Sequence, residues 1–171
     1  MSIIQSLFFL RATSTPKRTS SIMLVIILFS TGLFGQVKSI GLPNIINYKK
    51  TDYNSGTQNW GIDQDTNGNI YFANNNGLLQ FDGSNWHTYH IPSSKNIRSV
   101  KVDKSSGRIF VGSYNEFGYF ESSANGNLNY VSLISLIKEE DFKLSEFIWK
   151  IQLIGDAVIF QSFAAAYVFK D

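Results

Sequence analysis

Asp63, Asp65 and Asn67, with Gly68 and Ile70 behind them in DQDTNGNIYFAN, place oxygen donors at the spacing of a calcium loop. An EF-hand also needs a helix on each side and a Glu at the twelfth position to supply two more oxygens. Here the twelfth position is Asn74, and the flanks alternate apolar and polar residues as strands do. The corresponding turn further along, DKSSGR, keeps the glycine but has Lys104 where the first has Asp65, and a third has only IGDA. Asn67-Gly68 is itself a preferred pair for the positive φ of a tight hairpin. A backbone turn is therefore expected, and no metal site.

Catalytic chemistry has little to stand on. His87 and His90 are the only histidines and fall on different faces of a strand end, and there is no cysteine. No Gly-rich phosphate loop, Ser-His-Asp set or pair of acids at catalytic spacing is recognisable, so neither an enzyme nor a cofactor is expected. Binding chemistry is better represented. The segments ANNNG (Ala73–Gly77) and GSYNEFG (Gly112–Gly118) offer amides, a hydroxyl, an aromatic ring and a carboxylate, a set suited to a sugar or another polar ligand. The candidate ligand-binding residues are Asn74, Asn76, Tyr114, Asn115 and Glu116.

The elements that would position them recur. GNIYFANNNGLLQFD (Gly68–Asp82) aligns with GRIFVGSYNEFGYFES (Gly107–Ser122), and a weaker copy is GDAVIFQSFAAAYVFKD (Gly155–Asp171). Each is preceded by a further short strand, in NWGIDQD, IRSVKVDK and FIWKIQLI, and the first is followed by NWHTYHI. Units of about 40 residues with up to four strands have the spacing of β-propeller blades. The fold expected is all-β, an incomplete propeller over residues 36–171, with blades near 57–91, 96–133 and 147–171. Residues 132–146, SLISLIKEEDFKLSE, break the pattern as a helical or loop insertion. In a propeller the two polar loops join the second and third strands of a blade and gather at one mouth of the channel. Trp60, Trp86 and Trp149 are expected to pack between neighbouring blades.

Charge argues against nucleic acid. The formal charge of +2 comes from Arg11, Lys17 and Arg18, which face no acid before Asp52. Lys17 and Arg18 precede IMLVIILFSTGLF, 13 uncharged residues from Ile22 to Phe34 and shorter than a bilayer span. Residues 1–35 thus read as an export signal with Gly35 at the cleavage point, and the remainder as exported, periplasmic chain that meets the membrane only through that signal.

GIDQDTNGNIYFANNNGLLQFDGSNWHTY resembles the two-component regulator propeller repeat, with its apolar strand, Asp, Gly, aromatic strand, NGL, FDG, Trp and Tyr. NNNGLLQFDGSNWHTYHIP and RSVKVDKSSGRIFVGSYNEFGYF are similar to the N-terminal blades of bacterial LuxR-type regulators with a three-tyrosine domain. The resemblance covers about residues 42–171, with IFVGS a departure where the repeat more often has Trp and Thr. It implies a periplasmic propeller that senses a ligand, in some members a polysaccharide breakdown product, for a kinase or DNA-binding output carried elsewhere in a longer protein. The alternatives are an exported glycan-active propeller enzyme and a self-assembling lectin-like module. Three blades leave a sheet face and a strand edge open, so association with further blades or with copies is expected.

Overall fold

Short alternating segments separated by Gly- and Asn-bearing turns leave the backbone few options other than hairpins. The structure, a computed structural model, describes residues 41, 45–92, 94–138 and 145–170; the expected export signal lies outside them. The chain is all-β, as expected, with three antiparallel sheets of 4, 4 and 3 strands among the described residues.

A single helical turn, α1 (Lys50–Tyr53), which the sequence reading did not anticipate, leads into the first sheet. That sheet runs β1 (Asn59–Gln64), β2 (Ile70–Asn74), β3 (Gly77–Phe81), β4 (Trp86–Tyr89). The second runs β5 (Ile97–Val102), β6 (Ile109–Ser113), β7 (Phe117–Ser122), β8 (Leu128–Ser132). The third runs β9 (Lys150–Ile154), β10 (Ala157–Gln161), β11 (Ala166–Lys170). Spatial order follows chain order in every sheet. In the 132–146 segment a 3₁₀ turn at Ile134–Leu136 is the helical part described, and residues 139–144 lie outside the description.

Aspartates fix the turns at one end of the sheets. The Asp65 carboxylate accepts from the N–H groups of Asn67 and Asn69, both at 2.9 Å, from Asn69 Nδ2 at 2.8 Å and from Tyr71 Oη at 3.1 Å. Asp82 accepts from the N–H groups of Ser84 and Asn85, and Asp103 from the N–H and hydroxyl of Ser105. Each aspartate mimics a backbone turn with its side chain, while Gly68 and Gly107 supply the positive φ of 89° and 76°. Of the residues that looked like cation ligands, Asp65 spends its carboxylate on its own hairpin.

The first strands of successive sheets lie side by side, β1 against β5 and β5 against β9. The Asp63 carboxylate on β1 accepts the Val102 N–H of β5 at 2.9 Å and pairs with Lys101 at 2.8 Å. Burial would raise the Asp63 carboxyl, but Lys101 and the amides of Val102 and Gln64 outweigh it and hold it below its ordinary value. Ser99 Oγ donates to Ile148 O at 2.9 Å, tying β5 to the chain that leads into β9. Gly112 lies opposite this link; a Cβ there would come within 2.5 Å of the Ile148 side chain.

Two apolar layers fill the space between sheets. Tyr71, Ala73 and Leu78 of the first sheet meet Ile97, Val102, Ile109, Val111 and Phe120 of the second. Phe110, Phe117 and Tyr119 of the second meet Ile151, Val158 and Phe160 of the third. Alternation explains this: consecutive residues of β6, Ile109, Phe110 and Val111, point to opposite faces, and both faces are covered. β11 pairs with β10 along one side, and its exposed Val168 lies on the face turned away from the second sheet.

Candidate functional site

At the end opposite the aspartate turns, the starts of β1, β5 and β9 meet the β2–β3, β6–β7 and β10–β11 turns. Register shows how residues are delivered there. Asn59 pairs with Asn74 and Gly61 with Ala73, so Trp60 is an extra residue bulged out of β1. Ile97 pairs with Ser113 and Ser99 with Gly112, so Arg98 is bulged from β5 in the same way. Trp149 directly precedes β9, and its N–H donates to Gln161 O at 2.9 Å. Trp60, Arg98 and Trp149 thus hold equivalent positions in the three repeats.

These side chains converge. The Arg98 guanidinium lies 4.0 Å from the Trp60 ring centre and 4.5 Å from that of Phe147. Trp149 meets Trp60 edge-on at 6.2 Å and Phe147 at 5.6 Å. Tyr114 extends the cluster through Phe147 at 5.1 Å, and Phe163 through Trp149 at 5.5 Å. The rings remain open: Trp60 and Tyr114 are each 44% exposed, Trp149 39% and Phe163 83%. Shallow depressions of about 280 and 250 Å³ flank Trp60. Open aromatic faces of this kind are what a ring-bearing ligand stacks on, because a ligand removes from water the apolar surface that the fold leaves there.

Polar groups hold the rings in place. Asn75 Oδ1 accepts from Trp60 Nε1 at 2.8 Å and from Arg98 Nη1 at 2.5 Å, and Asn75 Nδ2 donates to Gln58 Oε1 at 2.8 Å. Glu146 accepts the N–H groups of Phe163 at 3.1 Å and Ala164 at 2.8 Å, anchoring the β10–β11 turn. The Ser162 hydroxyl and these amides hold the Glu146 carboxyl below its ordinary value. Burial lowers the pKa of Arg98.

The five expected ligand residues separate. Tyr114 and Asn115 belong to this end: Tyr114 bridges to Phe147, and Asn115, in left-handed conformation at φ 52°, donates its N–H to Glu146 O at 3.1 Å. Asn74 is fully buried and spends its amide on Ser55, Gly56, Asn59 and Asn76. Glu116 is buried too, accepting from Tyr130 Oη at 2.9 Å and Ser132 Oγ at 2.7 Å. Burial, then Glu116, raises the Tyr130 pKa, so that hydroxyl stays protonated and donates. Asn76 lines a separate cleft of about 710 Å³ with His90, Ile91, Pro92, Ser94 and Lys95.

The tryptophan expectation is corrected. None of the three is sandwiched between sheets: Trp60 and Trp149 stand on the rim, and Trp86 stacks on Phe81 at 4.4 Å, with Tyr48 and Tyr53 against it on the first sheet's outer face. A bulge or a strand start takes a residue out of strict alternation, which the period-two reading cannot register. Sequence reasoning missed Asn75 and Arg98. The Asn run did mark the right turn, but not which of its members reaches the rim. No family model matches the chain, and no curated protein matches it.

Proposed function

We propose that this chain is a non-catalytic, ligand-binding part of an exported bacterial sensor, its three sheets being consecutive blades of a β-propeller. The supporting geometry is the serial arrangement: each sheet is an up-and-down meander whose first strand lies beside the first strand of the next. The observation that carries the binding reading is the set of open rings, Trp60, Tyr114, Trp149 and Phe163, gathered around Arg98 at one end. Such a surface has no role in closing the core and suits an oligosaccharide, whose sugar rings present C–H faces for stacking and hydroxyls for Asn75, Asn115 and nearby main chain. A ligand seated there touches all three repeats at once, so binding stiffens their mutual packing, and a downstream output reads that change. Glycan-cleaving chemistry finds no support in Glu116, whose carboxylate is occupied by the β8 hydroxyls.

The test uses the full chain produced by export from a bacterial host and applied to an immobilised oligosaccharide panel. Retention of at least one member by the native chain, with loss in Trp60→Ala and retention in Trp86→Phe, is expected. Absence of any saccharide binding by a folded native chain contradicts the reading.

A further inference from the structure

Trp60, Arg98 and Trp149 occupy one equivalent place in three repeats, yet two are rings and the middle one is a cation. Packing alone does not call for a charge there, since an aromatic side chain would continue the cluster. We propose that this rim selects acidic saccharides: Arg98 receives a carboxylate or sulfate group, and the tryptophan faces carry the neighbouring sugar rings. The inference rests on the saccharide-binding reading and adds the chemical class of the ligand.

The guanidinium is arranged for an incoming anion. Its central carbon lies 4.0 Å from the Trp60 ring centre and 4.5 Å from that of Phe147, contacts that hold the cation in place without being hydrogen bonds. A guanidinium has five N–H donors, and among the described residues one hydrogen bond uses them, from Nη1 to the neutral Asn75 amide. Nε is buried without a partner. No carboxylate pairs with Arg98 among the described residues, whereas Arg108 has Glu121 at 3.9 Å. A half-buried positive charge without a counter-ion has already lost part of its hydration. An anion that completes it therefore gains more than it would at an exposed lysine, and a planar guanidinium matches a carboxylate with two parallel bonds.

Shape restricts the rest of the ligand. Trp60 and Trp149 lie at 75° to each other, and the open rings run on to Tyr114 and Phe163. Two angled faces with a cation beside them fit a bent chain of several rings carrying an acid group, better than a single flat acid.

The experiment is isothermal titration of the full chain with matched probes: oligogalacturonates against their methyl esters, and sulfated chondroitin oligosaccharides against their desulfated forms. For at least one pair, the native chain binds the acidic member roughly tenfold or more tightly than its neutral counterpart, and the difference shrinks as salt rises. Arg98→Gln removes the difference between the acidic and neutral members, and Arg98→Lys, which keeps the charge without the planar donor set, restores only part of it. Equal binding of acidic and neutral members by the native chain overturns the inference while leaving saccharide binding standing. Salt-independent affinity does the same, and needs no variant to fold. If no probe of either kind binds, the ligand reading beneath it falls as well.

Discussion

Asn74 offers the sharpest separation between a residue that binds a ligand and one that holds the fold. Its Oδ1 accepts from Ser55 Oγ at 3.1 Å, Gly56 N–H at 2.9 Å and Asn76 N–H at 2.9 Å. Its Nδ2 donates to Gly56 O and Asn59 Oδ1, both at 2.7 Å. Replacing it with Ala frees the Ser55 and Asn59 side chains to turn elsewhere, but three main-chain groups are fixed and left unpaired. At roughly 1 kcal/mol or more for each, the expected loss is about 3–5 kcal/mol. Ser113, the equivalent residue of the second sheet, bonds Ser94 Oγ and Asn96 O, so Ser113→Ala loses about 1–2 kcal/mol. The Asn76 side chain makes no hydrogen bond among the described residues, and Asn76→Ala stays within about 0.5 kcal/mol. Urea unfolding followed by tryptophan fluorescence ranks the three. A loss at Asn74→Ala below about 1 kcal/mol, or one equal to that of Asn76→Ala, refutes the reasoning.

Two further outcomes follow from the turns and the edge. The hydroxyls of Ser105 and then Ser106 hold the Asp103 carboxyl at about 2, against an ordinary 3.8. A depressed folded value means this stabilisation is complete above the ordinary value and disappears as pH falls from about 4 through about 2, so acid unfolding curves steepen there. Asp103→Asn flattens that segment of the curve, and an unchanged acid profile in the variant contradicts the assignment. Val168, 60% exposed on the outward face of β11, belongs to a strand that pairs with β10 on one side. The expected outcome is self-association of the polypeptide in light scattering, shifted toward the monomer by Val168→Lys; a native chain that is monomeric at high concentration contradicts this.

The sheets were legible because each strand is a short alternating run closed by Gly, Asn or Asp, and local chemistry fixes such turns. Asp65 is an example: its carboxylate is spent within its own hairpin, on Asn67, Asn69 and Tyr71, as the Asn-Gly pair had suggested. The rim was less legible. Trp60 reads as a core strand residue unless the bulge between Asn59 and Gly61 is known, and that bulge depends on pairing with β2. Arg98 carries no local signal, since Trp60, Asn75 and Phe147 come to it from other elements. Asn74 and Glu116 looked like ligand groups because side-chain chemistry reveals polarity but not direction. Burial against Gly56 and Tyr130 turned them inward.

The indole N–H resonances of the three tryptophans give the most direct test of where a ligand sits, with a control built into the chain. Trp60 and Trp149 lie on the proposed rim, and Trp86 is packed with Tyr48, Tyr53 and Phe81 on the outer face of the first sheet. In a ¹H–¹⁵N titration of the full chain with an acidic oligosaccharide that it binds, the Trp60 and Trp149 signals move together along one saturation curve while Trp86 stays in place. Movement of Trp86 alone, or saturation with all three indoles unmoved, contradicts a binding site at the Trp60–Arg98–Trp149 rim.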